Sequence, residues 1–300
     1  MTIREVLKDG GASLAAAGIE TAALDAALLL AEVLGMSRAA LTAAFPDPVS
    51  GEAAAAFEEL IRRRRGGECT AYILGRKEFY GLDFLVNAST LVPRPDTETL
   101  VEAALEEIGR RGCCANGNAR VLDLCTGSGA VAIALKHEMP ALDVWASDIS
   151  TAALAVARTN AARLLSGDDS SIQFRQGDLF KALSAGQGGD WENPRFSLIV
   201  SNPPYVPSGA IAGLSPEAQN EPRLALDGGD DGLDLIKQII VDAPRFLEEG
   251  GVLLLEADPR QMPDIACLLE RAGFRDTQTR CDLSGRERVI GGRLPEKSRA

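Results

Sequence analysis

A chain of 300 residues carries more material than one small core needs, so one large domain or two unequal ones are expected. Apolar residues make up 46% of it, but no run reaches the about 18 uninterrupted apolar residues of a membrane span. The net charge of −12 counts against nucleic acid as the main partner, because a protein that neutralises many phosphates shows a basic surface.

Met1-Thr2-Ile3-Arg4-Glu5 lacks the basic-then-apolar pattern of a signal peptide, so a cytoplasmic location is expected. Residues 1 to 68 are rich in Ala and Leu. Leu24, Ala27, Leu28, Ala31 and Leu34 recur at helical spacing, with Gly35 as a stop, and Ser37 and Ser50 suit N-caps. The helix after Ser50 ends in Arg62-Arg63-Arg64-Arg65, where cations complement the helix dipole or offer a dock for an anionic partner. This region reads as a small helical bundle without catalytic chemistry.

From residue 69 the character changes. Lys77 to Val86 has strand composition and Thr90-Leu91-Val92 returns it, which predicts a β-hairpin joining two domains. In Pro93-Arg94-Pro95-Asp96-Thr97-Glu98 the prolines stiffen the chain, and Asp96 or Thr97 is placed to cap a helix from Glu98 to about Arg110. Arg94 and Glu98 belong either to a plain linker or to an active cleft. Residues 112–119 read as a loop, as does the glycine-containing stretch Ser184 to Asn193. Strands are predicted at 120–124, 143–147, 172–176, 196–201, 251–256, 274–280 and 287–291, with helices at 129–138, 151–164, 232–247 and 260–272. This alternation predicts an α/β fold with a mostly parallel, doubly wound sheet, closed by an antiparallel pair of strands.

Val121 to Ala130 (VLDLCTGSGA) is a strand, a tight glycine turn and a helix start, so free N–H groups can approach a ligand closely. Asp148, 19 residues after Gly129, ends the next strand, where an acidic side chain can accept both hydroxyls of a ribose. Nicotinamide dinucleotides and S-adenosylmethionine both fit this much. A pyrophosphate requires the full glycine fingerprint, but Cys125 replaces its first Gly and Val131-Ala132 supplies no third. The cationic sulfonium of S-adenosylmethionine is compatible with nearby acids such as Asp123. Asp178 either accepts from an adenine amine or caps a helix, and Leu179 can pack on the ring. The six cysteines form no CxxC pair and stand with a single histidine, His137, so no metal is expected.

The strand at 196–201 runs into Asn202-Pro203-Pro204-Tyr205. An amide or exocyclic amine is a poor nucleophile, and a site that accepts its N–H hydrogens can hold its nitrogen toward a methyl donor. Asn202 offers a side-chain carbonyl and Pro203 a backbone carbonyl, the prolines keep both aimed, and Tyr205 can stack on a planar group. Read alone, the motif is also a rigid strand exit.

Together with Tyr72-Ile73-Leu74-Gly75, Phe79-Tyr80-Gly81, Leu91 to Glu98, Glu221-Pro222 and Arg286-Glu287-Arg288-Val289, these motifs resemble the peptide chain release factor glutamine methyltransferases, the HemK/PrmC family. The resemblance implies an N-terminal helical domain at 1–75 that docks the release factor, a β-hairpin linker at 76–97 and a Rossmann-like seven-stranded methyltransferase domain at 98–300. It implies transfer from S-adenosylmethionine to the glutamine of the Gly-Gly-Gln motif of class 1 release factors. Cys125, Thr126, Gly127, Ser128, Gly129, Asp148, Asp178, Leu179 and Asn202 would hold the donor. Asn202, Pro203, Pro204 and Tyr205 would grip the acceptor, with Asn202, Pro203 and Tyr205 in the catalytic roles, and Arg94, Thr97 and Glu98 would line the cleft. A monomer acting without membrane or nucleic acid is expected. Cys125 stands where many members have Gly, which matters if the position takes positive φ, and Leu179 replaces an aromatic residue of some members. The alternatives are a nucleic-acid adenine or guanine amine methyltransferase and a non-catalytic S-adenosylmethionine-binding module.

Overall fold

The computed structural model describes residues 1–110, 119–166, 171–184 and 194–296. Apart from Ala119 and Ser184, the expected loops at 112–119 and 184–193, with Cys113 and Cys114, lie outside the described residues. The chain divides into two compact units, Met1–Arg76 with Leu214–Asn220, and Lys77–Gly213 with Glu221–Ala300.

The first unit is built on helices α1 (Ile3–Ala16), α2 (Ala22–Leu34), α3 (Arg38–Ala43), α4 (Gly51–Arg65) and α5 (Thr70–Leu74). Their apolar faces meet in a core that includes Val6, Leu14, Leu29, Leu30, Phe57 and Ile61. The local signals work as the sequence suggests. The Ser37 and Ser50 hydroxyls accept from the Ala40 and Ala53 amides, and Gly35 ends α2 in the left-handed conformation (φ 61°).

The arginine run is largely spent inside this unit. Arg62 pairs with Glu59 and Arg63 with Glu68. Arg64 is buried, with Nε donating to Asp25 at 2.8 Å and Nη2 to Glu217 at 2.6 Å. Removing one partner of a buried pair leaves an uncompensated charge. Arg64→Ala should therefore destabilise this unit by roughly 3–5 kcal/mol. Faster amide exchange along α2 and α4 is the expected readout, and unchanged protection there would show that Arg64 carries no structural charge pair.

The second unit starts with the hairpin strands β1 (Arg76–Phe79) and β2 (Leu82–Leu85), followed by α6 (Glu98–Arg110). Then come β3 (Arg120–Leu124), α7 (Ala130–Glu138), β4 (Asp143–Asp148), α8 (Thr151–Leu164), β5 (Ile172–Gln176), α9 (Lys181–Ser184) and β6 (Phe196–Ser201). After the one-turn α10 (Pro216–Gln219), which belongs to the first unit, follow α11 (Asp234–Asp242), β7 (Leu247–Glu256), α12 (Met262–Arg271), β8 (Arg275–Cys281) and β9 (Glu287–Arg293).

Seven strands form one sheet in the order β5-β4-β3-β6-β7-β9-β8, parallel from β5 to β7 and antiparallel where β9 meets β7 and β8. Both faces are covered. Val121, Leu198 and Val200 point to one core with α6 and α7, whereas Leu122, Leu124 and Ile199 point to the other with α11 and α12. The two-residue period on strands buried on both sides explains their near-continuous apolar sequence.

Three expectations are corrected. The hairpin closes within Arg76–Leu85, because Tyr80 and Gly81 both take positive φ and turn the chain in two residues, so Thr90-Leu91-Val92 is not its return strand. The helix expected over 232–247 runs only from Asp234 to Asp242, since Pro244 lacks an N–H and the chain tightens there into a 3₁₀ turn over Ala243–Arg245, and β7 begins early, at Leu247. Asp96 and Thr97 do not cap α6. Asp96 pairs with Arg288 at 2.9 Å, and the Thr97 hydroxyl accepts from Asn202 Nδ2 at 3.2 Å.

Candidate active site

The sheet reverses its winding at β3, which lies between β4 and β6, and a crevice opens at the carboxyl ends of these strands. There, residues 125–129 fold back on their neighbours. The Thr126 amide donates to the Ser147 carbonyl at 2.9 Å, and the Gly127 amide donates to Asp148 Oδ2 at 2.9 Å. The other Asp148 oxygen accepts from the Ser150 amide at 2.8 Å, so the carboxylate is fixed between the loop and the start of α8. Gly129 takes φ 83°, so any other residue is strained there, and a Cβ would also press on Ile133 Cδ1 at 2.8 Å and Ala157 Cβ at 3.2 Å. Cys125 takes φ 59° and Leu179 φ 47°, two non-glycine residues in left-handed conformations at one crevice. Such backbone costs on the order of 1–3 kcal/mol and clusters at ligand sites.

The crevice holds a cavity of about 310 Å³, within the usual size range of small-molecule sites. Of the residues singled out in the sequence, Arg94, Thr97, Cys125, Thr126, Gly127, Ser128, Asp148, Asp178, Leu179, Asn202 and Pro204 line it together. Four others stand elsewhere. Gly129 starts α7 behind the loop. Glu98 accepts from the Tyr80 amide at 2.9 Å and so braces the hairpin turn. Pro203 is buried beside the lining residues. Tyr205 turns its hydroxyl to Glu256 Oε1 at 3.4 Å, and its carbonyl accepts from Gln261 Nε2 at 3.0 Å. A Cβ at Gly232 would collide with that same carbonyl, so only glycine lets the two loops approach.

Residues outside the expected site also contribute. Asn160 donates to the Leu85 and Ser128 carbonyls, both at 3.0 Å, and accepts from the Leu85 amide, tying hairpin and loop together. The hint was a lone Asn on the buried face of α8 that Ala153, Leu154 and Ala157 define. Glu221 is buried and pairs with Arg94, while Leu224 is exposed at the cavity.

Burial dominates the electrostatics. The Asp123 carboxyl accepts from Thr126 Oγ1 at 2.6 Å and the Ala132 amide at 3.2 Å, yet desolvation pushes it up to about 7. Burial also pushes the Cys125 thiol up to about 12, with the Asp148 charge adding to the effect, so it is an inert packing group at neutral pH. The Asp148 carboxyl is raised by burial against the pull of its amide donors, and Glu221 is raised by burial against Arg94.

The lining suits a nucleoside of positive charge. Asp148 and Asp178 line the cavity beside the buried Asp123, Asp178 is paired with Lys181 at 2.6 Å, and the cation lining it among the described residues, Arg94, is paired with Glu221. Such a surface repels a pyrophosphate and favours a sulfonium. Ser147 Oγ is buried at the cavity and has no hydrogen-bond partner among the described residues, which leaves a polar group for a ligand to meet.

Fold and cavity thus define a Rossmann-like methyltransferase unit. A family model described as "PrmC N-terminal domain" matches residues 5–75, and one described as "Methyltransferase small domain" matches residues 105–213. The release factor glutamine methyltransferase of Geobacter sulfurreducens is 41% identical over 98% of this chain and 97% of its own length. That of Cereibacter sphaeroides is 42% identical over 98% of this chain and 99% of its own. Among solved structures, the hMettl16 catalytic domain in complex with a 3′UTR hairpin is similar at TM-score 0.53 and 13% identity, over 81% of this chain and 84% of that one, a likeness of fold alone. The chain belongs to the release factor glutamine methyltransferase family.

The buried Asp123 has a thermodynamic consequence. It keeps its proton in the folded chain up to about pH 7, whereas an unfolded aspartate loses it near pH 4. Between those limits the folded state binds more protons, so this contribution to stability is present at low pH and lost as pH rises through about 7. Urea unfolding between pH 5 and 8 should show stability falling with pH, with a shallower slope in Asp123→Asn. An unaltered slope in that variant would show that Asp123 is ionised in the fold.

Proposed function

We propose that this enzyme methylates the side-chain amide nitrogen of the glutamine in the Gly-Gly-Gln motif of class 1 peptide chain release factors. It is a protein-glutamine methyltransferase that uses S-adenosylmethionine. The observation that carries the acceptor reading is the setting of Asn202. Its Nδ2 donates to Thr97 Oγ1 at 3.2 Å, which leaves Oδ1 without a protein partner among the described residues, at a cavity that Asp148 and Asp178 also line.

S-adenosylmethionine supplies a methyl group on a sulfonium that leaves as a neutral thioether. The chain's own groups do the rest. Asp148 and Ser147 hold the ribose, Asp178 and Leu179 meet the adenine, and the acidic lining favours the positive sulfonium. Asn202 Oδ1 and the Pro203 carbonyl accept the two amide hydrogens, which aims the nitrogen lone pair at the methyl carbon. As the N–C bond forms and the S–C bond breaks, the amide nitrogen becomes strongly acidic and its proton passes to water. No buried base is required. In-line positioning of this kind supplies up to about 7–11 kcal/mol.

In the same reading the helical unit docks the release factor, the enzyme acts as a monomer in the cytoplasm, and neither nucleic acid nor membrane takes part. Among the described residues, no helix is long and apolar enough to cross a membrane.

The decisive experiment offers labelled S-adenosylmethionine with a purified class 1 release factor, the same factor with its motif glutamine replaced, and duplex DNA. Label confined to the unaltered factor is expected. Label on DNA, or equal label on the altered factor, would overturn the reading. Asn202→Ala should lower turnover by about 10²–10³ while S-adenosylmethionine still binds, as for other preorganised polar groups. Asp148→Ala should instead weaken binding of S-adenosylmethionine, measured by calorimetry, and an unchanged affinity would place the ribose elsewhere.

A further inference from the structure

The turn from Glu221 to Asp227 is held more firmly than an exposed loop requires. At its start, Glu221 is buried and accepts from Arg94 Nη2 at 2.5 Å and from the Val92 amide at 3.4 Å. At its end, the chain runs beside the exit of the Asn-Pro-Pro-Tyr stretch. The Val206 amide donates to the Leu226 carbonyl and the Gly228 amide to the Val206 carbonyl, each at 2.9 Å. A Cβ at Gly228 would stand 2.7 Å from the Pro204 carbonyl oxygen, so only glycine lets the two segments approach. Asp227 adds a further tie, accepting from the Ser208 hydroxyl at 2.5 Å and the Gly229 amide at 3.2 Å. Between these anchors the chain makes one tight turn, in which the Ala225 amide donates to the Pro222 carbonyl at 2.8 Å.

The braced turn presents apolar surface. Leu226 is buried beneath it, whereas Leu224 is 57% exposed and lines the cavity with Leu91, Pro222 and Ala225. A single exposed leucine is ordinary on a protein surface. A leucine anchored on both sides at the mouth of a cavity is different, because a partner can cover rigid apolar surface without first having to order it.

We propose that Leu224 is a specificity residue that, with Leu91 and Pro222, docks the polypeptide flanking the acceptor amide. The inference rests on the glutamine reading. Two observations choose this occupant. The first is placement. Residues 226–228 are bonded to Val206 and pressed on Pro204, so the apolar rim belongs to the acceptor end of the cavity. Asp148, at the ribose end, leaves β4, which lies on the far side of β3 from β6. The second is charge. Arg94, the cation lining the cavity among the described residues, is engaged by Glu221, so a phosphate backbone finds no free cation at this rim. An uncharged stretch of polypeptide gains by covering the leucine. Contact with a part of the substrate remote from the reacting atoms strengthens binding in the ground state and the transition state alike, so Leu224 governs KM while Asn202 governs transfer.

The experiment varies the concentration of a purified class 1 release factor against labelled S-adenosylmethionine. Leu224→Ala should raise KM for the factor about tenfold, with kcat and the calorimetric affinity for S-adenosylmethionine within about twofold. Leu224→Met, which keeps the apolar area, should restore KM, and Leu224→Glu should raise it further. Val241, exposed at the opposite end of α11 from the cavity-lining Leu235, is the control, and Val241→Ala should change none of the three. In a second arm, p-benzoylphenylalanine in place of Leu224 should cross-link on illumination to the segment of the factor that carries the motif glutamine. An unchanged KM in both Leu224→Ala and Leu224→Glu, a loss of S-adenosylmethionine affinity equal to the rise in KM, or cross-links confined to other parts of the factor overturns the proposal. Absence of methyl transfer by the wild-type enzyme overturns the glutamine reading and this inference with it. Transfer by the wild type with KM indifferent to Leu224 overturns this inference alone.

Discussion

Strand register is the constraint on which the site depends. Leu124, the last residue of β3, is paired on one side with Ser147 of β4 and on the other with Ser201 of β6. The next residues, Cys125, Asp148 and Asn202, therefore leave the sheet side by side, two of them flanking the third. Two strand spacings set Asp148 and Asn202 roughly 10 Å apart. That is the scale of a nucleoside measured from its ribose to a group beyond its 5′ carbon. In the proposed reading the sheet thus places the acceptor for ribose hydroxyls and the holder of the substrate amide at the two ends of one ligand, and loops refine what the backbone has already fixed. A slip of one residue in either pairing would turn these side chains to the opposite face of the sheet.

The same register explains what could be read without a structure. Strands buried on both faces announce themselves as short apolar runs, and β3 and β6 lie where their composition places them, while the half-exposed edge strand β5 follows from its alternation of Ile172 and Phe174 with polar residues. Motifs that leave those strands, such as Cys125 to Ser128 and Asn202, inherit the placement. Legibility fails where a side chain leaves the sheet edge and chooses among partners distant in sequence. Asp96 and Thr97 are good caps on local chemistry, but Arg288 and Asn202 compete for them and win, since a buried or partly buried polar group gains more from a partner than a solvated helix end does. Glu98 and Tyr205 show the same limit. Each belongs to a motif beside the cavity, but one braces the Tyr80 amide and the other turns to Glu256. Asn160 drew no notice as a site residue because a buried polar residue becomes informative only once its partners are seen.

Charge gives the crevice its selectivity. A net charge of −12 spread over a surface says little about a ligand, but at the cavity Asp148 is free of a cation among the described residues, Asp178 shares Lys181, and the lining Arg94 is already neutralised by Glu221, which leaves a modest acidic potential. Low dielectric strengthens that potential and also raises the carboxyl groups toward neutrality, as Asp123 shows at about 7. A cationic ligand resolves the conflict. Its charge favours the ionised form of the lining acids, so binding and deprotonation reinforce one another.

Cys125 shows how the loop tolerates a departure from glycine. At φ 59° a side chain costs about 1–2 kcal/mol against the backbone. Its side chain, however, packs on the core that contains Leu124, Leu179 and Phe180, and burying a small apolar group returns on the order of 1 kcal/mol. The two effects nearly cancel. Glycine would relieve the strain but leave a gap beside Leu124 and a looser backbone, because glycine has more freedom to lose on folding. The buried thiol, pushed up to about 12, brings no reactive charge into the crevice. Cysteine is small enough to take this conformation, apolar enough to join the core and, at this depth, chemically silent. These properties together let it stand at the start of a loop built for close backbone approach.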